Sequence, residues 1–499
     1  MSRRVSPWAG TVGLAAALAT LASLAVPGVA ARAGVAPRAA VAGPAVPARR
    51  AAAHLVRTVS ASQHPAGRRD LLLINGAHVV VNVAGGPGMV IPAARSGLAG
   101  AVMSMTMGGT SLHIPAAAVP YLGRGLDPRL FEPRALLAAE PDGRLHVEVR
   151  YRGRVPNLPG IHLTKASGGA ATGFLTASSA RVFGAALDRL YGADHTRGSY
   201  GTDGMFASGT QIALPGAAPA APPHPNFPMH TLTVKGFNLA GKPDTGDFTG
   251  LFNVDDLNRL DPFIEASGNA FFHGTDKYSV PAGHYMLLAL FGGSATEPPS
   301  RIVVLPQFTV SGNKSVTARE AAANSKITMV TPRPATVLDT NLWLLRRDAK
   351  RSPLAFEFLV LGKRPLWISP THTRPTVGSL QVSVNQHLES TPGPGVPYEY
   401  TLSYTSAPGT VPAQRHVVHP ADLATVHERF YQAVKAEGNW AFHGSFPGTN
   451  PDDIGQWFGF IEPAGPGLRL PGNLTEYTGG TGASRIGLDG EYQQFSGQS

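Results

Sequence analysis

Glycine and proline recur along the whole chain, and they restrict its possible folds more than any other feature. The 499 residues include 58 glycines and 44 prolines. Glycine is costly inside a helix and proline removes a backbone donor, so a chain interrupted this often forms many turns and few long helices. With 43% hydrophobic and 15% charged residues, the composition predicts a mainly β globular protein of about two to four domains.

The first 33 residues have the pattern of an export signal peptide. Two arginines precede an apolar run over residues 11–26, and Ala30 and Ala33 are alternative cleavage sites. The run is short for a membrane anchor, which is the other interpretation of this pattern. The absence of cysteine from the chain excludes disulfides and thiolate metal sites. We therefore predict a secreted, extracellular protein with no membrane segment after signal removal.

The positive charge of the chain is concentrated in one segment. Residues 1–69 contain nine arginines and no acidic residue, which accounts for nearly all of the net charge of +10. The remainder is close to neutral, and this argues against a nucleic-acid partner. Residues 34–69 are rich in Ala, Pro and Arg without apolar periodicity and predict a disordered spacer. Binding of an acidic cell-wall polymer by this spacer is the alternative.

Residues 70–213 predict an α+β domain. The segment "DLLLINGAHVVVNV" has two apolar runs separated by Asn75-Gly76, a strong hairpin signal, and "RLHVEVRYRG" alternates as a half-buried strand does. The segment "SSARVFGAALDRLYG" predicts a helix capped by Ser178 or Ser179 and closed by Gly192. We interpret its apolar stripe as core: Val182, Phe183, Ala186, Leu187, Leu190 and Tyr191.

A Pro/Ala-rich linker, residues 214–229, precedes the second half of the chain. Within residues 230–320, strand candidates joined by short turns predict a prealbumin or carboxypeptidase-regulatory-like β-sandwich. Residues 321–499 continue with strand patterns such as "FEFLVLG" and "YEYTLSYTS", and only "HPADLATVHERFYQAVKAEG" predicts a helix. We therefore expect an α+β N-terminal domain followed by two antiparallel β-sandwich domains, the second with a helical insertion.

Two tripeptides raise the question of a subtilisin-like serine protease: Asp244-Thr245-Gly246 and His273-Gly274-Thr275. Such a site needs an aspartate, a histidine and a serine held together by their secondary structure. Here the turn Gly241-Lys242-Pro243 precedes the aspartate, and Pro281 would break a helix after the histidine. The Gly-Thr-Ser that ends at Ser111 precedes both partners and leads into a strand pattern. We interpret Asp244 and His273 as turn residues and predict no catalytic triad.

The sequence contains no H-E-x-x-H, EF-hand, P-loop or dinucleotide glycine motif. His224 and His230 flank the linker, and His273 and His284 lie close along the chain, but no third ligand accompanies either pair. We therefore predict no metal ligand, no cofactor and no catalytic residue. Four aromatic residues near the C-terminus are interpreted as core, with stacking on sugar rings as the alternative: Trp440, Phe442, Trp457 and Phe458.

A succession of phrases resembles the parts of large secreted actinobacterial subtilases that flank the protease domain. "GGTSLHIPAAAVPYLGRGLDPRLFEPRALLA" is similar to their propeptide-like region, and "LTVKGFNLAGKPDTG", "VPAGHYMLLALF" and "LPGNLTEYTGG" to regions after the catalytic domain. Where that domain would lie, the chain has only "YGTDGMFASGTQIALPGAAPAAPPHPNFPMH", so no catalytic residue carries over. The resemblance implies a protein built from the flanking parts alone.

Three hypotheses follow. The first is a secreted, non-catalytic protein that binds an extracellular protein or a cell-wall polysaccharide. The second, which rests on the resemblance, is an inhibitor or folding assistant that acts in trans on a secreted subtilase. The third is a subtilisin-like serine peptidase, for which the sequence offers no triad.

Overall fold

The computed structural model is mainly β. It describes residues 68–82, 89–94, 97–107, 110–140, 142–216, 228–259, 269–391 and 395–430, with short strands between 440 and 495. The chain divides into two compact units, Met1–Thr58 and Val59–Ser499, and every described residue belongs to the second. The predicted signal peptide and nearly all of the predicted spacer lie outside the described residues. Within the described residues, no helix is both long and apolar enough to cross a membrane.

The N-terminal part combines short strands with two α-helices in its described residues. In chain order these are β1 (Arg68–Leu72), β2 (His78–Asn82), β3 (Met89–Ile91), β4 (Ala101–Met107), β5 (Thr110–Pro115), α1 (Pro133–Ala139), β6 (Leu145–Arg150), β7 (His162–Ser167), β8 (Ala170–Leu175), α2 (Ala177–Arg197) and β9 (Gln211–Ala213). The predicted hairpin is confirmed, because β1 and β2 pair antiparallel across the turn that contains Gly76. The positive φ of Gly76, 86°, suits glycine.

Helix α2 confirms the predicted helix, but both of its ends differ from the prediction, and one residue predicted to be core is exposed. Its N-cap is Thr176, which forms a capping box with Ser179, and it continues past Gly192 to end at Gly198 in the left-handed conformation. The prediction that Val182 is core was wrong, since this side chain is 52% exposed. The stripe of Phe183, Leu187 and Tyr191 is fully buried, as expected.

The middle of the chain forms two facing sheets. Its strands are β10 (Met229–Phe237), β11 (Phe248–Asn253), β12 (Thr275–Pro281), β13 (Gly283–Phe291), β14 (Arg301–Val310), β15 (Lys314–Arg319), β16 (Ser325–Lys326) and β17 (Thr328–Val330). One sheet has the order β12-β10-β15, and a five-stranded sheet begins β11-β13-β14. Leu232 and Tyr278 of the first sheet share a core with Leu287 and Phe291 of the second. This confirms the predicted β-sandwich.

The remaining strands build mainly one large sheet. They are β18 (Ala335–Arg347), β19 (Pro353–Leu361), β20 (Trp367–Ile368), β21 (Ser379–Ser390), β22 (Tyr398–Thr405), β23 (Arg415–Val417), β24 (Leu423–Phe430), β25 (Trp440–His443), β26 (Phe446–Pro447), β27 (Glu462–Pro463), β28 (Gly472–Thr481), β29 (Ile486–Gly487) and β30 (Gln494–Phe495). The large sheet has the order β24-β28-β22-β21-β18-β19-β4-β5, and β20 and β16 complete the five-stranded sheet. Neighbours are mostly antiparallel, with parallel pairs such as β10 with β15 and β22 with β28.

The structure corrects the prediction of a helical insertion. Leu423–Phe430 forms strand β24, which pairs antiparallel with β28. Backbone pairing along the sheet edge outweighs the weak helical preference of this segment, which includes Thr425 and Val426. The rest of the predicted helix, residues 431–439, lies outside the described residues.

The large sheet also crosses the predicted domain boundary. Strands β4 and β5 come from the predicted N-terminal domain, yet β4 pairs with β19. The large sheet therefore combines strands from both sides of the proline-rich linker. Whether the predicted domains are separate folding units stays a prediction.

Strand β13 is buried on both faces and contributes to two hydrophobic cores. Leu287 and Ala289 face the core shared with β10 and β12, whereas Met286 and Leu288 belong to the core that contains Met103 of the large sheet. A strand covered on both sides is expected to be a continuous apolar run, as "YMLLALF" is. The five-stranded sheet is thus the middle of three layers.

Replacing Leu288 with alanine tests this central layer. Leu288 is 1% exposed, so we expect Leu288→Ala to lower the free energy of unfolding by about 2–5 kcal/mol through lost burial and a cavity. Urea unfolding followed by circular dichroism measures the change. Leu239→Ala is the control, because Leu239 is 55% exposed and should change stability by less than about 0.5 kcal/mol. Equal effects of the two substitutions would contradict the layer arrangement.

Candidate functional site

The two tripeptides that suggested a protease lie side by side in the structure. The turn at 243–247 and the turn at 269–275 are joined through their backbones. The amide of Gly274 donates to the Asp244 carbonyl at 2.6 Å, and the amide of Gly246 donates to the Phe271 carbonyl at 2.8 Å. The amide of Phe271 in turn donates to the carbonyl of Asp247 at 2.9 Å. Chain topology therefore brings both motifs together.

Their side chains do not form a catalytic pair. His273 has a φ of 48°, is exposed and lies against the Phe272 ring with centroids 4.2 Å apart. Asp244 is 5% exposed, and its carboxyl bonds to the Asp247 side chain. Ser111 belongs to edge strand β5, where its hydroxyl lies 2.9 Å from that of Thr106. Asp244, His273 and Ser111 thus each contact residues outside the supposed triad, and they do not form a catalytic group.

A serine, a histidine and a glutamate do meet elsewhere, in a row across the large sheet. His113, Ser104 and Glu357 are direct cross-strand neighbours on β5, β4 and β19. The Ser104 hydroxyl lies 3.0 Å from Nδ1 of His113. Oε1 of Glu357 accepts from the Asn341 amide at 2.5 Å. The sequence analysis missed this row, because Glu357 lies far from Ser104 in the chain. The two residues become neighbours only through the pairing of β19 with β4.

The row lacks the order of a catalytic triad. In a triad the imidazole lies between the hydroxyl and the carboxylate, whereas here Ser104 lies between His113 and Glu357. Burial lowers the pKa of His113 to about 4 and raises the pKa of Glu357 to about 8. At neutral pH both groups are therefore uncharged, and we interpret the row as a buried polar contact within the sheet.

Labelling with a fluorophosphonate tests this interpretation. We expect no covalent labelling of the folded, full-length chain, because Ser104 is 3% exposed and has no charged triad to activate it. The readout is mass spectrometry, with an active serine hydrolase as positive control. Labelling that disappears in Ser104→Ala or Ser111→Ala, but not in Ser279→Ala on an exposed strand position, would reveal an activated serine and overturn the non-catalytic interpretation.

A buried pair of carboxyl groups anchors the turn that contains Asp244. Both carboxyl oxygens of Asp247 accept backbone hydrogen bonds, from Gly292 at 2.9 Å and from Gly293 at 3.1 Å. Burial raises the pKa of Asp244 to about 6 and raises that of Asp247 as well, with repulsion from Asp244 as a further cause. Glu320, whose pKa burial also raises, adds to the negative potential at both groups. The pair therefore favours holding a proton.

The C-terminal end of α2 packs on the same turn. The His195 ring lies between the Tyr200 hydroxyl, 3.1 Å from Nδ1, and the Gly293 carbonyl, 3.2 Å from Nε2. The Tyr200 hydroxyl donates to the carbonyl of Gly246 at 2.7 Å. The helix end, the carboxyl turn and the 292–293 turn thus form one connected buried network.

A cleft of about 460 Å³ opens beside this network. It lies between three segments: the turn at Arg124, the loop after α2 and the start of β12. Its wall combines charged, hydroxyl and aromatic groups, and its lining residues are Arg124, Gly198, Ser199, Tyr200, Thr202, Ala270, Phe272, Thr275, Asp276 and Lys277. Its volume is within the range of small-ligand sites. No local sequence pattern predicts this cleft, because its three segments are far apart in the chain.

The charged groups of the cleft have defined partners. Asp276 is 3% exposed, and its carboxylate accepts from the Thr249 hydroxyl at 2.5 Å and from the Lys277 amide at 2.8 Å. Burial lowers the pKa of Arg124, and the negative charge of Asp276 partly opposes this shift. The cleft thus contains one buried carboxylate and two cationic side chains.

The histidines that the sequence analysis considered as metal ligands do not line this cleft. Nδ1 of His284 lies 2.8 Å from Oδ1 of Asp255 on another turn. His230 lies on β10, and His224 is outside the described residues. Within the part of the chain that the structure describes, no group of three His, Cys, Asp or Glu residues is arranged to hold a metal. The side chains of the four C-terminal aromatic residues also lie outside the described set.

Comparisons with known proteins assign no family. No protein-family model and no curated protein matches the chain. Among solved structures it is similar to BcpA, the major pilin subunit of Bacillus cereus, with 9% identity, a TM-score of 0.13, and coverage of 50% of this chain and 85% of that chain. The major pilin SpaD of Corynebacterium diphtheriae gives 11% identity, a TM-score of 0.13, and coverage of 50% and 81%. At such TM-scores, we infer neither fold nor function from them, and the resemblance to subtilase flanking regions stays a prediction.

The carboxyl pair predicts a pH dependence of stability. The pKa of Asp244 in the folded protein, about 6, exceeds its ordinary value of 3.8, so protonation favours folding. This contribution is fully present below about pH 4 and is lost as the pH rises through about 6. We expect Asp244→Asn, which stays neutral, to reduce the loss of unfolding free energy between pH 4 and 7. Urea unfolding at several pH values measures it.

The exposed Asp422 provides the control for that experiment. Asp422→Asn should leave the pH profile of the wild-type protein unchanged. If Asp244→Asn also leaves it unchanged, the carboxyl pair does not hold a proton in the folded state.

Proposed function

We propose that this chain is a non-catalytic protein that acts outside the cell and binds a saccharide in the cleft beside the carboxyl turn. The observation that carries this proposal is a half-exposed aromatic side chain, Phe272, on the rim of a polar cleft of about 460 Å³. Sites of about 300–1,000 Å³ accommodate small ligands or a few units of a polymer.

The ring of Phe272 offers the apolar surface that a sugar requires. Phe272 is 51% exposed, although burial of a phenylalanine is normally favourable by about 1.5–3 kcal/mol. A pyranose ring has one face of C–H groups that packs against an aromatic ring, and its hydroxyls need hydrogen-bond partners. Ser199, Thr202 and Thr275 line the same cleft and supply hydroxyl groups. Aromatic and polar groups thus occur together at one site.

The walls of the cleft are already fixed by the buried network. Phe272 follows Phe271, whose backbone pairs with Asp247, and Tyr200 is held by Gly246. Ligand binding to such preorganised walls loses little conformational entropy. This arrangement supports a binding role for the cleft.

The extracellular part of the proposal rests on the signal-like pattern of residues 1–33. The non-catalytic part of the proposal rests on the separate surroundings of Asp244, His273 and Ser111. Inhibition or assisted folding of a subtilase in trans rests on the sequence resemblance alone, and no contact of the described residues favours it.

Substitution of Phe272 tests the proposal. We expect Phe272→Ala to weaken binding to purified cell-wall polysaccharide, and to soluble oligosaccharides derived from it, by roughly tenfold, which is the loss of an aromatic contact of about 1.4 kcal/mol. Isothermal titration calorimetry gives the affinity. Since Phe272 is half-exposed, the urea unfolding midpoint should hardly change.

Val182→Ala is the matched control, because Val182 is an equally exposed apolar residue on α2, outside the cleft. This variant should bind as the wild-type protein does. The proposal fails if no wall saccharide binds, or if Phe272→Ala binds as tightly as Val182→Ala.

A further inference from the structure

We propose that the chain has a second saccharide site, separate from the cleft, where Arg333 and two tyrosines of the large sheet recognise an acidic sugar. The ligand class is a polysaccharide with carboxylate groups on its sugar rings. The basis is an exposed arginine that aromatic rings hold in place and that pairs with no carboxylate among the described residues. The site uses no residue of the cleft, so it does not depend on the function proposed above.

Three tyrosines form a cluster on one face of the large sheet. Tyr400 on β22 and Tyr477 on β28 are direct cross-strand neighbours, and their rings stack with centroids 5.0 Å apart. The Tyr398 ring packs edge-on against both. Tyr400 is 1% exposed, whereas Tyr398 and Tyr477 are half-buried. The cluster therefore has a buried base and an accessible outer part.

The segment before β18 places Arg333 on this cluster. Its amide donates to the Tyr400 hydroxyl at 3.3 Å, and the Tyr398 hydroxyl donates to the Pro334 carbonyl at 2.6 Å. The guanidinium carbon lies 3.6 Å from the centre of the Tyr398 ring, and Nη1 donates to the Tyr477 hydroxyl at 3.1 Å. Tyrosines thus fix both the backbone and the side chain of the arginine.

The charge of this arginine is directed to solvent. Arg333 is exposed, and within the described part of the chain its side chain contacts tyrosines and no carboxylate. A guanidinium has five N–H donors, and stacking on an aromatic ring uses none of them. The Tyr477 hydroxyl accepts from one nitrogen. The other donors lie in the plane of the guanidinium, where a carboxylate binds through two parallel hydrogen bonds.

Tyr477 provides the apolar surface for a sugar ring. In its cross-strand row it lies between the buried Tyr400 and Thr425, an exposed residue of β24 at the end of the described sheet. Because threonine is short, the side of the Tyr477 ring that faces Thr425 is accessible to the C–H face of a pyranose. The Thr425 hydroxyl is a hydrogen-bond partner for the sugar hydroxyls.

The contact between Arg333 and Tyr477 favours a carboxylate over a phosphate. The guanidinium lies at the hydroxyl edge of the Tyr477 ring, so a sugar that stacks on this ring has its own edge beside the arginine. A uronic acid carries its carboxylate directly on the sugar ring, whereas a phosphate linkage projects further away. An acidic sugar therefore engages both the ring and the guanidinium, and a neutral sugar engages the ring alone.

Isothermal titration calorimetry of the full-length mature protein tests the inference with three probes of equal length: a galacturonic acid oligomer, a glycerol phosphate oligomer and a neutral galactose oligomer. We expect the galacturonic acid oligomer to bind about tenfold more tightly than the galactose oligomer, because it adds a charge-assisted contact. This preference should fall as salt is raised, since the arginine is exposed.

Variants assign that preference to the cluster. Arg333→Gln should reduce it to less than about twofold, because the charged contact is lost. Arg333→Lys keeps the charge without the paired donors and should retain part of the preference; it replaces Arg333→Gln if that variant lowers the urea unfolding midpoint. Arg319→Gln is the matched control, because Arg319 is also exposed and stacks on an aromatic ring, Phe237, in another sheet. It should keep the full preference.

The Phe272→Ala variant separates this site from the cleft. We expect the preference for galacturonic acid to survive in Phe272→Ala and to be lost in Arg333→Gln. The reverse pattern would assign acidic recognition to the cleft and overturn the second site. Equal affinity for galacturonic acid and galactose, tighter binding of the glycerol phosphate oligomer, or no binding of galacturonic acid would also overturn it. None of these results decides whether a wall saccharide binds at Phe272, which the earlier titration measures.

Discussion

Burial of strand β13 on both faces is the interaction on which the rest of the structure depends. Leu287 contributes to one core and Leu288 to the other, so a single strand transmits packing between the two outer layers. Each fully buried side chain of this kind contributes about 1.5–3 kcal/mol. With no cysteine in the chain, the layers are held by this packing and not by covalent links.

The stability from this packing compensates for the burial of carboxyl groups at the candidate site. The carboxyl pair of Asp244 and Asp247 is buried at the end of the sandwich, where ionisation is costly. Backbone amides of the 292–293 turn compensate part of that cost. The result is a fixed geometry, because the same turn positions Phe272 and Tyr200 on the cleft.

Local sequence patterns were sufficient to predict individual strands, turns and helices, but they did not predict how these elements pair with one another. The turn at Gly76 and the alternation from Leu145 each reflect neighbours within a few residues, and the structure confirms them. The pairing of β4 with β19 and the strand at Leu423–Phe430 depend on partners distant in sequence. For the same reason Asp244 and His273 were recognised as turn residues, whereas the cleft that contains Arg124 was not anticipated.

The polar row of His113, Ser104 and Glu357 has a consequence for how the chain assembles. A shift of β4 along β19 by two residues would place Val102 or Thr106, in place of Ser104, opposite the buried Glu357. The row therefore helps to fix the register of β4 against β19, two strands that residues 108–352 separate in the chain. Strand β4 cannot pair with β19 until that whole stretch has been made, so this part of the sheet forms by a long-range closure.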